Sequence, residues 1–232
     1  MTLFASVFPI FCWLAYNLAV PFVEQRRPSL SVIMSMQRRR WVANASRRES
    51  PMDAILSGNL MQSVSFLAST SMLLVLAIFA AFGQLPALIR ALANFGLAND
   101  YSAAEMQVHL LVLLAIFVSS FFAFTLSLRQ FNHFCIMLGA ISHEVPATEE
   151  EIESIAMLNS LAAKNFNSGI RAYYFAVPAV AWFASPLLSI VVTLVTTGFI
   201  IHREFFSSAH RIAASVAVIA SRREQQSEKI DS

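Results

Sequence analysis

From Leu60 to Phe82 the chain carries no charged residue. About 20 apolar residues suffice to cross the hydrocarbon core of a bilayer as a helix, and an unpaired backbone group is too costly in lipid for an open strand or loop to span it. This stretch therefore fixes the solvent before anything else: the chain folds in a membrane. Three further stretches resemble it. Thr2 to Val23 and Ala172 to Ile201 are uncharged, and Met106 to Leu128 holds only His109 near its start. The expected fold is an all-α integral membrane helical bundle of about four transmembrane helices, near 3–23, 60–82, 106–128 and 172–201, with added cytoplasmic or interfacial helices. Residues 1–202 form one transmembrane domain and 203–232 an amphipathic and polar tail. Composition agrees: charged residues make up 13% of the chain, about half the roughly 25% of a soluble domain.

The first span reads as retained, since no basic residue precedes it and no small-x-small cleavage site follows. Cys12 and Cys135 are too few for a disulfide framework. Orientation comes from arginine and lysine near the spans. The N-terminal flank has none, and the first loop has seven: Arg26, Arg27, Arg38, Arg39, Arg40, Arg47 and Arg48. The second has Arg90, and the third has Arg129, Lys164 and Arg171. The tail has Arg203, Arg211, Arg222, Arg223 and Lys229. An extracytoplasmic N-terminus with four single spans puts ten of these inside and six outside. The last apolar run is long and holds Pro178 and Pro186. One kinked span is the preferred reading of it. A hairpin turning near Ser185-Pro186 is the alternative, and it would leave only Arg90 outside. The expected location is a bacterial cytoplasmic (inner) membrane.

Local signals place further helices. Leu30, Ile33, Met34, Gln37, Trp41 and Ala45 recur at helical spacing in the first loop. Arg38, Arg39, Arg40 and Trp41 on such an interfacial helix suit contact with lipid or an anion, although basic residues there also serve topology alone. Ser50-Pro51-Met52-Asp53 reads as a helix start, with Ser50 as N-cap. On the helix that follows, Asn59, Gln62, Ser65 and Ser69 share a face that must find partners, either between helices, at an oligomer interface or along a pore. Leu85 to Leu97 suits a surface helix ending near Gly96. Thr148-Glu149-Glu150-Glu151 is a capping box opening a helix to about Lys164. Arg129, Asn132 and His133 follow the third span and could form a cytoplasmic polar cluster with Arg171. Ser221 to Ser232 reads as a tail without fixed structure.

Taken together, several segments resemble the uncharacterised multi-spanning membrane family catalogued as domain of unknown function 599. They are Met36-Gln-Arg-Arg-Arg-Trp-Val42, Gln62-Ser-Val-Ser-Phe-Leu-Ala-Ser-Thr70, Phe124-Thr125 through Leu128-Arg-Gln-Phe-Asn132, Asn167-Ser-Gly-Ile-Arg-Ala-Tyr-Tyr-Phe-Ala176 and Trp182-Phe-Ala-Ser-Pro186. The resemblance covers roughly Leu3 to His202 and implies the architecture without supplying a mechanism.

No hydrolase, kinase, dinucleotide or zinc motif is present, and no cofactor is expected. If the third and fourth spans are antiparallel and complete, His109 and His202 reach the same outer face, where two histidines could ligate a haem; interfacial roles are the plainer reading. The spans as read hold no mid-membrane charge, which counts against an ion-coupled pump. The preferred function is a non-catalytic membrane component, an oligomeric scaffold or an accessory subunit. The alternative is a passive channel or transporter lined by the Asn59-to-Ser69 face and Arg171. The third reading is a membrane enzyme or redox subunit using Arg129, Asn132, His133 and the glutamates. Lipid, copies of the chain and other membrane subunits are the expected partners; nucleic acid is not.

Overall fold

The computed structural model describes residues 1–48, 51–94, 96, 101–142 and 144–231, apart from the side chains of 224, 225 and 227–231. Among these residues there are eight helices and no strand: α1 Thr2–Glu24, α2 Leu30–Ala45, α3 Pro51–Gly83, α4 Leu85–Asn94, α5 Ala103–Gly139, α6 Glu149–Ala181, α7 Pro186–Phe205 and α8 Ser208–Asp231. Helices α1, α3 and α5, and the run from Pro186 to Arg223 whose apolar part is α7, are long and apolar enough to cross a membrane. The chain is an all-α integral membrane bundle.

The starts of these helices follow local chemistry. Ser29 accepts from the Val32 backbone N–H at 3.3 Å and caps α2. Ser102 with Glu105, and Thr148 with Glu151, form reciprocal capping boxes on α5 and α6, each satisfying backbone donors that a helix leaves open. Ser50, expected to cap α3, lies outside the described residues, while Pro51 and Asp53 do occupy its first turn.

The centre of the bundle is the antiparallel pair α5 and α6. Ser120 Oγ donates to the Gly169 carbonyl at 3.1 Å and Ser127 Oγ to the Ala162 carbonyl at 2.8 Å. The helices close tightly because Gly169 has no side chain: a Cβ there would stand 2.6 Å from Cε1 of Phe124. Small residues at a crossing let backbones approach where no hydrophobic effect drives them together. Helix α3 packs on α5 through Val64, Ala68, Ser71, Val75 and Ile78, spaced by threes and fours. Helix α1 lies against α5, α6 and α7.

The single kinked span expected over 172–201 is not what forms. The helix stops at Ala181, the chain turns through 182–185, and Pro186 opens α7 at the position where its missing N–H costs nothing. The two arms are antiparallel: Ser189 Oγ donates to the Pro178 carbonyl at 2.9 Å, Tyr174 and Phe199 rings meet at 5.9 Å, and Arg171 faces Glu204 at 3.7 Å. Because α5 and α7 run in the same direction, the chain must return between them, and α6 is that return. A membrane-crossing helix therefore carries Lys164 and Arg171, contrary to the expectation of spans without charge.

The bundle thus has two ends. At one, Thr2, Tyr101, His109 and Trp182 gather. The other, which we call the basic end, holds Glu24, α2, the α5–α6 connection and the end of α7. Among the described residues Arg90, on α4, is the one arginine at the Trp182 end. Helix α8 folds back on α2, with His210 Nε2 3.0 Å from the Pro28 carbonyl and Arg27 stacked 4.3 Å over Phe206. It stays helical to Asp231, beyond the point where an unstructured tail was expected. Its last turns hold neither Gly nor Pro and consist largely of good helix formers.

Candidate functional site

The four polar residues of α3 do share a face, and it points away from the fold. Asn59, Gln62, Ser65 and Ser69 are all exposed, together with Phe66, Leu73 and Leu76, on the side opposite the contact with α5. Ser63 and Thr70 return their hydroxyls to carbonyls of their own helix, at 2.9 and 2.8 Å. Among the described residues nothing pairs with the Gln62 amide.

The Arg38–Trp41 group is divided by helical geometry, since successive residues point about 100° apart. Arg39 binds Glu149 and, at 2.8 Å, Glu153, tying α2 to the first turns of α6. Trp41 Nε1 donates to Asp53 at 2.7 Å, and its ring meets Phe134 at 5.4 Å. Arg48 also reaches Asp53, at 3.1 Å. Arg40 is half-buried. Arg38 points elsewhere, into the cleft described below.

The proposed cluster of Arg129, Asn132, His133 and Arg171 does not form. The first three are exposed on α5, while Arg171 sits between α6, α1 and α7. Nor do His109 and His202 share a face. The hairpin sends His202 to the basic end, where it stacks on Phe206, while His109 is buried at the Trp182 end. The run of α7 from Ser189 to His202 alone rises about 20 Å. No haem can take both as axial ligands.

His109 is instead a structural hub. Its Nε2 lies 2.7 Å from the Ala179 carbonyl, which can only accept, so Nε2 carries the proton. Nδ1 then accepts from Ser6 Oγ at 2.6 Å. The ring stacks on Trp182 at 4.1 Å, and Tyr101 stacks on Trp182 at 4.3 Å. Trp182 Nε1 donates to the Thr2 carbonyl at 3.1 Å.

A polar cavity lies toward the basic end, between α1, α2 and α6. It is a cleft of about 530 Å³ with Trp13 and Asn17 on α1, Arg38 on α2, and Lys164, Ser168 and Arg171 on α6 among its walls. Arg171 is at its deep end, 10 residues of helix from Ala181 and so about 15 Å below the Trp182 end. The guanidinium lies 5.3 Å from the Tyr16 ring and 3.7 Å from Glu204, with the two side chains 14% and 15% exposed. That separation is an ion pair without a hydrogen bond. Among the described residues Arg38 and Lys164 have no carboxylate within ion-pair reach. Burial pulls the Arg38 guanidinium below its ordinary pKa, as expected of a cation held partly out of water. The wall's one carboxylate, Glu24, accepts from Ser29. Trp13 is 9% exposed, and among the described residues its indole N–H has no acceptor and the buried Tyr16 hydroxyl has no partner.

Arg38 and Arg171 were singled out from the sequence, in different groups. Trp13, Asn17 and Ser168 were not. The legible signal was Asn17, an amide inside an otherwise apolar span, where lipid makes a polar side chain costly. Among the described residues no three His, Cys, Asp or Glu side chains gather as metal ligands.

The model of the family described as "Protein of unknown function, DUF599" matches residues 4–209 of the chain, and the chain belongs to that family. No curated protein and no solved structure matches it.

Proposed function

We infer that this member of a family without assigned function is a non-catalytic membrane component that assembles with copies of itself through α3, as an oligomeric scaffold. The observation that carries the reading is the outward Gln62 face. A span-length helix counted back from Gly83 ends near Gln62, so this amide meets the edge of the hydrocarbon and Ser65 and Ser69 lie within it. Small and polar residues on a lipid-facing surface are the usual basis of helix association in membranes. An amide is both donor and acceptor, so symmetry-related copies of Gln62 satisfy each other without a second chain of complementary charge. The excess of arginine at the basic end supports a cytoplasmic location for that end and an extracytoplasmic N-terminus, in a bacterial inner membrane.

The channel reading needs the Asn59-to-Ser69 face and Arg171 along one path. Within a chain they face different neighbours: α3 faces outward beyond α5, and Arg171 faces α1 and α7.

The test is cysteine cross-linking in native membranes, in a background with Cys12→Ser and Cys135→Ser. Gln62→Cys should give an oxidised dimer, while Leu194→Cys, lipid-facing on α7, should not. In detergent, Gln62→Leu should weaken self-association by about 0.6–2 kcal/mol. A chain that stays monomeric by native mass spectrometry and never cross-links at position 62 would remove the reading.

A further inference from the structure

The cleft between α1, α2 and α6 has no role in assembly through α3, which lies on the far side of α5. Its chemistry is one-sided. Arg38, Lys164 and Arg171 come from two helices brought together only by the fold. Glu24, the carboxylate in the wall, is held by Ser29, and Glu204 stands behind Arg171 without a hydrogen bond to it. The adjoining smaller cavity of about 170 Å³ shares Arg38 and Arg171 and adds Arg203. The surplus is therefore cationic even when both glutamates are counted.

The uncharged groups point to the same class of ligand. The Trp13 indole is a donor only, it is nine-tenths buried, and nothing among the described residues accepts from it. A buried donor left unpaired costs about 1–3 kcal/mol, and Trp13 is one of the residues that line the cleft. Ser168, Asn167 and Asn17 add neutral donors on the two facing helices. Guanidinium groups with several N–H donors match a tetrahedral oxyanion that can accept from many directions at once.

Size and position narrow it further. A volume of about 530 Å³ is in the range of ligand sites that hold far more than a single ion. The cleft runs from Arg171, inside the bilayer, to Glu24 and Lys164 at the interface. Its α1 wall is continuous with the exposed apolar residues Leu14, Leu18 and Phe22. We propose that this cleft binds a phosphate group borne by a larger molecule, with Arg38, Lys164 and Arg171 as the cationic contacts and Trp13 as a neutral donor. Two sources supply that chemistry at this depth: the headgroup of an anionic phospholipid entering from the side, or a soluble phosphate compound entering from the basic end.

Native mass spectrometry of the full chain, delipidated in detergent and titrated with phosphatidylglycerol or phosphatidylcholine, tests it. Phosphatidylglycerol should bind at least about tenfold more tightly than phosphatidylcholine. Arg38→Gln with Lys164→Gln should abolish that preference, and Arg222→Gln with Arg223→Gln, on α8, should leave it intact. Lys164→Gln alone removes an exposed charge and spares the fold, so a several-fold loss from it is read even if the double variant fails to fold. Inorganic diphosphate is the second probe. If it displaces phosphatidylglycerol in the wild type, the phosphate source is soluble; if it does not, the lipid is the ligand. Equal binding of both lipids with no diphosphate binding, or binding that survives Lys164→Gln and Trp13→Phe unchanged, overturns the proposal.

Discussion

The two ends of this bundle are built on opposite terms. At the Trp182 end almost every polar group is answered from within. Trp182 finds the Thr2 carbonyl, His109 finds Ser6 and Ala179, and Tyr101 finds the Trp182 carbonyl at 3.0 Å. Aromatic rings fill the space between them. From mid-bundle to the basic end, polar groups outnumber their partners among the described residues: Trp13 and Tyr16 are buried without one, and Arg38 and Lys164 lack counter-charges. Lipid penalises an unanswered polar group more heavily than water does. A fold that closes one end so completely has the means to close the other. The difference therefore separates a clasp that holds helices from a cleft that awaits a ligand.

Substitutions can break that contrast. The largest effect should come from Trp182→Ala, which empties a fully buried ring site between α1, α5 and α6 and should cost about 3–5 kcal/mol. Thermal unfolding in detergent would measure it, with phosphatidylglycerol binding retained in the fraction that stays folded. Arg171→Leu should follow at about 3 kcal/mol, because it strands Glu204 in a mostly buried position. The companion Arg171→Leu/Glu204→Leu should recover most of that loss, and a pair that recovers none would show the two are not coupled. His109→Leu removes the partners of Ser6 and Ala179 and should cost about 1–3 kcal/mol. Smallest is Trp13→Phe, which deletes a donor that has no acceptor. Its stability should stay within about 0.5 kcal/mol of wild type or rise slightly while ligand binding falls. A large destabilisation there would make the basic end a second clasp.

Much of this contrast was legible in the residues, and the rest was hidden for identifiable reasons. Four apolar stretches marked the crossings of α1, α3, α5 and α7, and the capping box at Thr148 was readable from local chemistry, whereas the one at Ser102 emerged only in the structure. The return helix α6 was concealed because its first half runs from Glu149 to Lys164 with a polar face, while its apolar second half merges with α7 into one long run. Pro186 was visible, but a proline permits a kink as readily as a turn. What decides for the turn is contact between 174 and 199 and between 178 and 189. The face of α3 was readable from spacing, its outward direction was not. The cleft joins the consecutive helices α1 and α2 to α6, which lies far along the chain from both, so no local pattern could have displayed it.

The polar make-up of α6 bears on how the protein is made. A lysine or an arginine at the centre of a helix costs about 2.5–3.5 kcal/mol on translocon insertion scales, and α6 carries Arg171 inside the bilayer, Lys164 at the interface and three glutamates in its first turn. It is too polar to partition into the bilayer as a solitary segment leaving the ribosome. The short turn at 182–185 joins it to strongly apolar α7, so the two should enter as one hairpin, with Glu204 as the counter-charge of Arg171. The cleft is then completed only once α7 has followed α6, and a nascent chain halted before α7 has emerged should keep its α6 residues at the membrane surface.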